Sequence, residues 1–131
     1  MIPKFRAWDS WRKRMSVVDR FYIDTKGVRL YDDFGEYWRD FSDATLMQST
    51  GLFDKNGKEI FEGDIITNGE AVVDVKSHPT LGFYTVVNDS ECFFGSNTSI
   101  KDFENDVEEF SSVTEIIGNI YENPELLEVK E

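Results

Sequence analysis

The sequence predicts a mainly β protein, in which an N-terminal strand meander precedes a barrel-like half and one short helix lies near residues 99–110. Three observations predict this class. Short apolar runs alternate with polar residues at the two-residue period of half-buried strands. Turn residues separate these runs at close intervals. Of the 131 residues, 40% are hydrophobic and 15% are aromatic, which suffices for a compact core.

The first half contains four strand segments joined by short turns. The segment PKFRAWD alternates charged and aromatic residues, and MSVVDRFYID is rich in β-branched and aromatic residues. Gly27 is predicted to supply positive φ in the turn at 25–27. The predicted strands are residues 3–9, 15–24, 28–32 and 36–41. Strands this closely spaced predict a meander, which a segment at 44–51 closes.

The second half continues the alternation of strand and turn. DKNG at 54–57 predicts a type I′ hairpin turn, and a second Asn-Gly turn lies at 68–69. Gly118 interrupts the last strand, which predicts a β-bulge. The predicted strands are residues 63–67, 70–77, 82–87, 91–94 and 113–121. We therefore divide the chain into a β meander at 1–50 and a barrel-like part at 51–131 with a C-terminal strand and tail, packed as two small domains or as one.

One segment, SIKDFENDVEEF, carries its apolar residues at helical spacing. Intervals of three, four and three residues separate Ile100, Phe103, Val107 and Phe110. This spacing puts the four side chains on one face of a helix. Ser99 is the predicted N-cap because its hydroxyl can accept a hydrogen bond from a free backbone N–H of the first turn.

The formal net charge of −12 is unevenly distributed. Residues 1–20 hold six basic and two acidic residues, a net charge of +4, whereas residues 21–131 hold eight basic and 24 acidic residues, a net charge of −16. A surface this acidic repels phosphate backbones and anionic membranes. The basic N-terminal stretch can instead pair with the acidic remainder, within the chain or between subunits.

No residue pattern indicates catalysis, so we expect a protein that is not an enzyme and that holds no metal and no cofactor. A zinc site needs several Cys or His ligands, and the chain has only Cys92 and His78. A calcium loop starting at Asp54 would place Lys58 and Ile65 where oxygen ligands are required. Neither glycine-rich phosphate-binding pattern occurs. We expect Cys92 to be a half-buried core thiol.

The stretch KFRAWDSWRKR at 4–14 is the candidate interface, since it combines five basic residues with three large rings. Its candidate interface residues are Phe5, Trp8, Trp11, Arg12, Lys13 and Arg14. Basic residues interleaved with aromatic rings are also typical of nucleic-acid contacts, which the acidic net charge opposes. A further alternative is that these rings pack into the protein's own core.

Residues 48–66, QSTGLFDKNGKEIFEGDII, combine two polar turns with apolar strand residues. We interpret the glycines as positions that need positive φ or close backbone approach. The predicted turn residues here and in the last strand are Gly51, Asn56, Gly57, Gly63, Asp64 and Gly118. A partner-binding surface is the alternative interpretation, because loops commonly carry function.

Three segments together resemble a known family: IPKFRAWD, DFSDATLMQSTGLFDKNGKEIFEGDII and EIIGNIYENPELL. From Ile2 to about Leu127 the chain resembles the YopX family of small phage and prophage proteins from Gram-positive bacteria. The resemblance implies a mostly β fold whose second half is an SH3-type barrel. It implies no established biochemical role, and therefore no catalytic positions.

The leading hypothesis is a non-enzymatic phage protein of the host cytosol that acts by protein–protein contact, including contact with itself as a homo-oligomer. One alternative is a nucleic-acid-binding protein that uses the 4–14 patch or a barrel face. Another is an acidic mimic of DNA that inhibits a host enzyme. We expect no membrane association, because no signal peptide, transmembrane run or lipidation motif occurs. The residues identify no small-molecule partner.

Overall fold

The computed structural model describes residues 4–80, 82–87, 89–93 and 100–127, and it confirms the mainly β fold class. The strands are β1 (Phe5–Asp9), β2 (Arg14–Tyr22), β3 (Gly27–Asp32), β4 (Gly35–Asp40), β5 (Ala44–Phe53), β6 (Glu59–Phe61), β7 (Asp64–Thr67), β8 (Val72–Asp74), β9 (Lys76–His78), β10 (Gly82–Val87), β11 (Ser90–Phe93) and β12 (Glu115–Asn119). The helix is α1 (Ile100–Val113), and short 3-10 turns lie at Phe41–Asp43 and Pro124–Leu127. The chain divides into an N-terminal unit, Met1–Ser49, and a C-terminal unit, Thr50–Glu131.

The N-terminal unit contains the predicted meander. Strands β1 to β4 are consecutive antiparallel neighbours, and β5 pairs with the free side of β1. Each connection between neighbours in the meander is short, so the pairing is local in sequence. The end of β5 lies in the C-terminal unit, where β6 follows it in the same sheet.

One face of this meander forms the core of the N-terminal unit. Alternating residues of paired strands share a face, and Ala7, Val28, Leu30 and Ala44 are buried there. The residues that pack against this cluster are Val18, Tyr37, Phe41 and Leu46. A register shift between Val18 and Arg20 marks a bulge in β2 opposite β3, and bulges of this kind increase the local twist of a sheet.

The prediction that Gly27 has positive φ is wrong. The left-handed residue is Lys26, with a φ of 53°, and Gly27 is the first residue of β3. Gly27 is required for a different reason: an added Cβ would overlap the indole ring of Trp38 on the neighbouring strand. The glycine therefore allows a close approach between β3 and an aromatic side chain of β4.

The C-terminal unit contains two small sheets with strand orders β12-β7-β8 and β11-β10-β9. Its core is the buried cluster Ile60, Ile66 and Val75. The residues that pack against this cluster are Leu52, Val73, Phe83, Phe110 and Ile116. Side chains from β5, β6, β7, β8, β10, α1 and β12 thus meet in one small β domain. The strands described in this unit do not close into a barrel.

Strand β12 carries a bulge at the glycine that interrupts its apolar pattern. Ile116 pairs with Ile66 and Gly118 pairs with Ile65, so one residue of β12 is left over between them. An added Cβ on Gly118 would lie 2.5 Å from Oδ1 and 2.8 Å from Cγ of Asn123. The glycine thus leaves room for the side chain that follows the strand.

The helix predicted near 99–110 is confirmed as α1, which is slightly longer, at Ile100–Val113. Val107 and Phe110 are half-buried, and Phe110 packs against the core of the C-terminal unit. The predicted cap Ser99, and the predicted packing of the Ile100 and Phe103 side chains, lie outside what the structure describes. Across the described residues, no helix is long and apolar enough to cross a membrane.

The expectation of a half-buried core thiol at Cys92 is wrong, because Cys92 is exposed on β11. In the sheet order β11-β10-β9, this strand lies at the edge. Its first three residues are exposed, and only Phe93 is half-buried, where its ring contacts Tyr84 at a centroid distance of 4.8 Å.

We predict that Gly118→Ala lowers the free energy of unfolding by about 1–3 kcal/mol, because the new methyl group must displace Asn123. Urea unfolding at pH 7 measures the loss. Combining Gly118→Ala with Asn123→Ala removes the overlapping atoms, so the alanine at 118 should then cost less than it does alone. An equal cost in both backgrounds would contradict the packing role of Gly118.

Candidate functional site: an arginine–aromatic surface

The structure separates the six candidate interface residues instead of bringing all of them together. Phe5 packs edge-on against Phe21, with ring centroids 5.1 Å apart. Trp8 is half-buried, pairs with Met15 and Thr45, and lies on the sheet face opposite Ala7 and Asp9 because strand residues alternate. Trp11 to Arg14 belong to the turn and strand start that follow β1.

Asp9 organises the turn that presents Trp11 and Arg12. Its side chain is fully buried, and Oδ1 accepts hydrogen bonds from the backbone N–H groups of Trp11 at 2.9 Å and Arg12 at 3.3 Å. Its carbonyl oxygen accepts the N–H of Lys13 at 2.8 Å, and Lys13 has a φ of 56°. Arg39 Nε also donates to Oδ1, at 3.0 Å. One carboxylate therefore fixes the turn and a guanidinium group from β4.

The pKa of the Asp9 carboxyl is lower than its ordinary value of 3.8. Burial raises it, but the hydrogen bonds from the Arg39 side chain and from the backbone of Trp11 and Arg12 outweigh burial. The ionised form is thus the one that the fold stabilises.

Two neighbouring sets of arginine–aromatic contacts extend from this turn. The Arg39 guanidinium lies 5.0 Å from the Trp11 ring centroid and 4.8 Å from that of Tyr37. Arg12 lies 4.4 Å from the Tyr37 ring, and Arg14 lies 4.4 Å from a further ring, that of Phe34. We call this set the arginine–aromatic surface; its members are Trp11, Arg12, Arg14, Phe34, Tyr37 and Arg39.

Asp32 joins the two ends of this surface. Its Oδ2 lies 3.2 Å from Nη1 of Arg14 and 3.9 Å from Nη1 of Arg12, and its Oδ1 accepts the N–H of Phe34 at 2.8 Å. The three arginines thus face two carboxylates, Asp32 and the buried Asp9.

Tyr37 lies in the middle of the surface and is held by Ser16, whose hydroxyl is 2.5 Å from the Tyr37 hydroxyl. Burial raises the pKa of Tyr37 above its ordinary value of 10.0, and the negative charge of Asp9 acts in the same direction. Tyr37 is therefore a neutral ring at physiological pH, with a guanidinium group against it from each of two arginines.

The outermost rings of the surface remain in solvent. Trp11 is 70% exposed and Phe34 is 77% exposed. Arg12, Arg14 and Phe34 line an open depression. Phe34, Tyr37 and Arg39 were absent from the sequence-based candidate set. Two features of the sequence could have identified them: an aromatic residue at the tip of the 33–35 turn, and an arginine on the same strand face as Tyr37 and Phe41.

The turn residues of the second unit form a different kind of network. Asp54 is buried; its Oδ1 accepts the N–H groups of Asn56 and Lys58, both at 2.9 Å, and its Oδ2 accepts the N–H of Ile116 in β12 at 3.0 Å. Gly57 N–H donates to the carbonyl of Asp54 at 3.0 Å. The carboxylate therefore ties its own loop to a strand about sixty residues away.

The prediction of a type I′ turn at 54–57 is wrong. That turn needs positive φ at two consecutive residues, but only Gly57 within the turn has it, at 80°. The hydrogen bonds from Asn56 and Lys58 to the Asp54 carboxylate hold the loop in its alternative form. Gly51 also has positive φ, at 79°, near the end of β5.

Gly63 and Asp64 form the tight turn between β6 and β7. Gly63 is buried with a φ of 88°; its N–H donates to the Val75 carbonyl at 2.8 Å, and its own carbonyl accepts the N–H of Ile120 at 2.9 Å. Asp64 Oδ2 accepts the N–H of Phe61 at 2.8 Å. This turn thus bonds to the segment after β8 and to the segment after β12.

Comparisons with known proteins identify the family of this chain. The model of the YopX protein family matches residues 4–128. The chain belongs to the YopX family. A similar solved structure is the crystal structure of protein EF1440 from Enterococcus faecalis, with 28% identity, a TM-score of 0.61, and coverage of 98% of this chain and 99% of that one. No curated protein matches the chain.

In this YopX family member, the segments that carry the family resemblance also contain the residues that stabilise its turns. Asp54, Gly63 and Asp64 lie in one such segment. Asn119 lies in another, where its Oδ1 accepts the N–H groups of Tyr121 and Glu122 at 3.0 and 2.9 Å. The side chains of Asp54, Asp64 and Asn119 thus accept backbone N–H groups of their own turns. These motif residues therefore have a role in the fold.

We predict that Gly63→Val lowers the free energy of unfolding by about 1–3 kcal/mol or more, because a β-branched residue is strained at positive φ and this site is buried. The matched control is Gly69→Val: Gly69 has a φ of 96°, and an added Cβ there meets nothing within 4 Å. Thermal unfolding of both variants gives the comparison. Equal losses would show that backbone strain alone, and not the buried turn, accounts for the effect.

Acid should destabilise the YopX family member through Asp54. Burial raises the pKa of this carboxyl, but the N–H groups of Ile116, Lys58 and Asn56 outweigh burial and hold the pKa below 3.8. A lowered folded-state pKa gives stability that is present above the unfolded-state value and is lost as pH falls through the folded-state value. Stability should therefore be constant near neutral pH and fall below about pH 4.

Asp54→Asn is the variant that tests this origin. We predict a loss of about 1–3 kcal/mol at pH 7, because the amide leaves backbone N–H groups poorly paired, and a smaller further loss between pH 5 and pH 3. The same change at the exposed Asp33 is the control. Urea unfolding across this pH range measures both. An unchanged acid dependence in Asp54→Asn would exclude Asp54 as its source.

Proposed function

We propose that this chain is a non-enzymatic protein–protein interaction module that contacts its partner through the arginine–aromatic surface. One observation supports this most directly: Trp11 and Phe34, at 70% and 77% exposure, flank three guanidinium groups in two neighbouring sets of contacts. Tryptophan, tyrosine and arginine are the residues most enriched at the energetic centres of interfaces. Rings prepositioned by arginine contacts also lose little conformational entropy when a partner covers them.

Charge indicates the chemistry of the partner. The surface presents three arginines against Asp32 and the fully buried Asp9, so it favours an acidic partner. A second copy of the chain offers one: the C-terminal unit has five basic and 18 acidic residues, a net charge of −13, whereas the N-terminal unit has nine basic and eight acidic residues, a net charge of +1. The homo-oligomer is therefore the first assembly to test.

The proposal includes a phage or prophage origin and action in the host cytosol. Membership of the YopX family supports the origin. The gene neighbourhood tests it: genes for phage replication, packaging or virion proteins on both sides are expected, and a neighbourhood of ordinary chromosomal genes would contradict it.

Nucleic acid is the second candidate partner, because arginines that alternate with rings also suit stacked bases. The net charge of −12 opposes it. Fluorescence anisotropy with labelled single-stranded DNA at low salt separates the two candidates. Micromolar binding that is lost in Arg12→Ala and Arg14→Ala would identify nucleic acid, and not a protein, as the partner. Inhibition of a host DNA-binding enzyme by the intact chain would instead support the DNA-mimic alternative.

We predict that the chain self-associates at tens of micromolar concentration in low salt and that Trp11→Ala combined with Phe34→Ala abolishes the association. Light scattering at low and high salt measures the assembly, which should weaken at high salt because exposed charges are screened. The matched control is Ile23→Ala, which removes an apolar side chain that is 75% exposed in the same unit but lies outside the surface.

Loss of association in Ile23→Ala as well would contradict a role specific to the arginine–aromatic surface. A monomer at both salt concentrations would remove the second copy as the partner. In that case, crosslinking in host cells should capture proteins with the wild-type chain and with Ile23→Ala but not with the double variant. Equal capture by all three chains would reject the interaction module.

A further inference from the structure

A cavity of about 160 Å³, partly open to solvent, lies within the C-terminal unit. Strands β7, β8 and β10 and the end of α1 contribute its walls. Most of the lining side chains that the structure describes are apolar; they include Ile66, Val73, Val87, Phe110 and Val113. None of the described lining residues is charged.

The polar residues that line this cavity are Thr67, Asn68, Thr85 and Thr114. Thr85 is 7% exposed and Thr114 is 3% exposed, and both line the cavity. Within the described part of the chain, neither side-chain hydroxyl has a hydrogen-bond partner. Thr50 and Thr67 in the same unit differ, since each donates to a backbone carbonyl at 2.7 Å. Both hydroxyls keep contact with solvent at the open side of the cavity, so they can bond to a molecule that enters it.

The size and lining of the cavity restrict what can occupy it. An apolar cavity of about 150 Å³ accepts a single benzene-sized molecule. A charged group would lose its hydration without gaining an opposite charge from the described lining residues. The size of the cavity and the lack of charge in its described lining therefore favour a neutral molecule with one polar group.

We propose that this cavity binds a small uncharged molecule with an apolar body the size of one ring and a single hydrogen-bonding oxygen. The apolar body packs among Val73, Val87 and Phe110, and the oxygen bonds to the hydroxyls of Thr85 and Thr114. The site lies wholly in the C-terminal unit, so it does not depend on the arginine–aromatic surface or on the proposed function.

Benzyl alcohol and toluene are the probes, because they share a ring and differ in the hydroxyl group. Methyl NMR of valine-labelled wild-type protein should show shifts at Val73 and Val87 on titration with benzyl alcohol. Toluene should bind the same site roughly three- to tenfold more weakly, the effect of one hydrogen bond. Absence of shifts at these valines up to millimolar benzyl alcohol, or equal affinity for both probes, would overturn the proposal.

Thr85→Val tests the hydrogen bond because valine has the shape of threonine without its hydroxyl. In this variant the affinity for benzyl alcohol should fall to that for toluene, while the affinity for toluene should stay within twofold of wild type. Thr45→Val makes the same change at an exposed residue of the N-terminal unit and should leave the preference intact. A preference that survives in Thr85→Val would overturn the assignment of this hydroxyl. If Thr85→Val does not fold, the two probes on wild-type protein still decide whether the site exists.

Discussion

The carboxylate of Asp54 is the interaction on which the C-terminal unit depends. It is buried, and it accepts three backbone N–H groups, two from its own loop and one from β12. Removing it would leave donors unpaired, and each buried unpaired donor costs about 1–3 kcal/mol. The strand that it holds pairs with β7, which supplies Ile66 to the core. One side chain thus connects a loop, a sheet and a hydrophobic cluster.

Other tight turns are stabilised in the same way, by a side-chain oxygen that accepts backbone N–H groups. Asp9 holds the turn after β1, Asp64 holds the turn before β7, and Asn119 holds the turn after β12. Short polar side chains suit this role because their oxygens reach backbone N–H groups two or three residues away. Part of the acidic composition therefore stabilises turns. The family motifs describe this framework of turns.

Two features are not explained by the needs of folding. In the N-terminal unit, Trp11 and Phe34 remain in solvent although the arginines beside them are ion-paired. In the C-terminal unit, two threonine hydroxyls without a partner among the described residues line a partly open cavity. The first is an outer surface with strong charge, and the second is a small cavity whose described lining carries no charge. They suit different ligands, a macromolecule and a small molecule, which is why separate experiments address them.

The sequence by itself determined the strand periods, the helix and most turn positions, because side-chain alternation and glycine are local properties of the chain. It did not determine the local geometry where other contacts dominate: Lys26 takes the left-handed conformation expected of Gly27, and the Asp54 carboxylate overrides the usual Asn-Gly turn. Only the tertiary structure brought Phe34 to Arg14 and Arg39 to Trp11. Strand pairing across β1 to β4 decides that arrangement, and a period of two gives the face of a side chain but not its neighbours across the sheet.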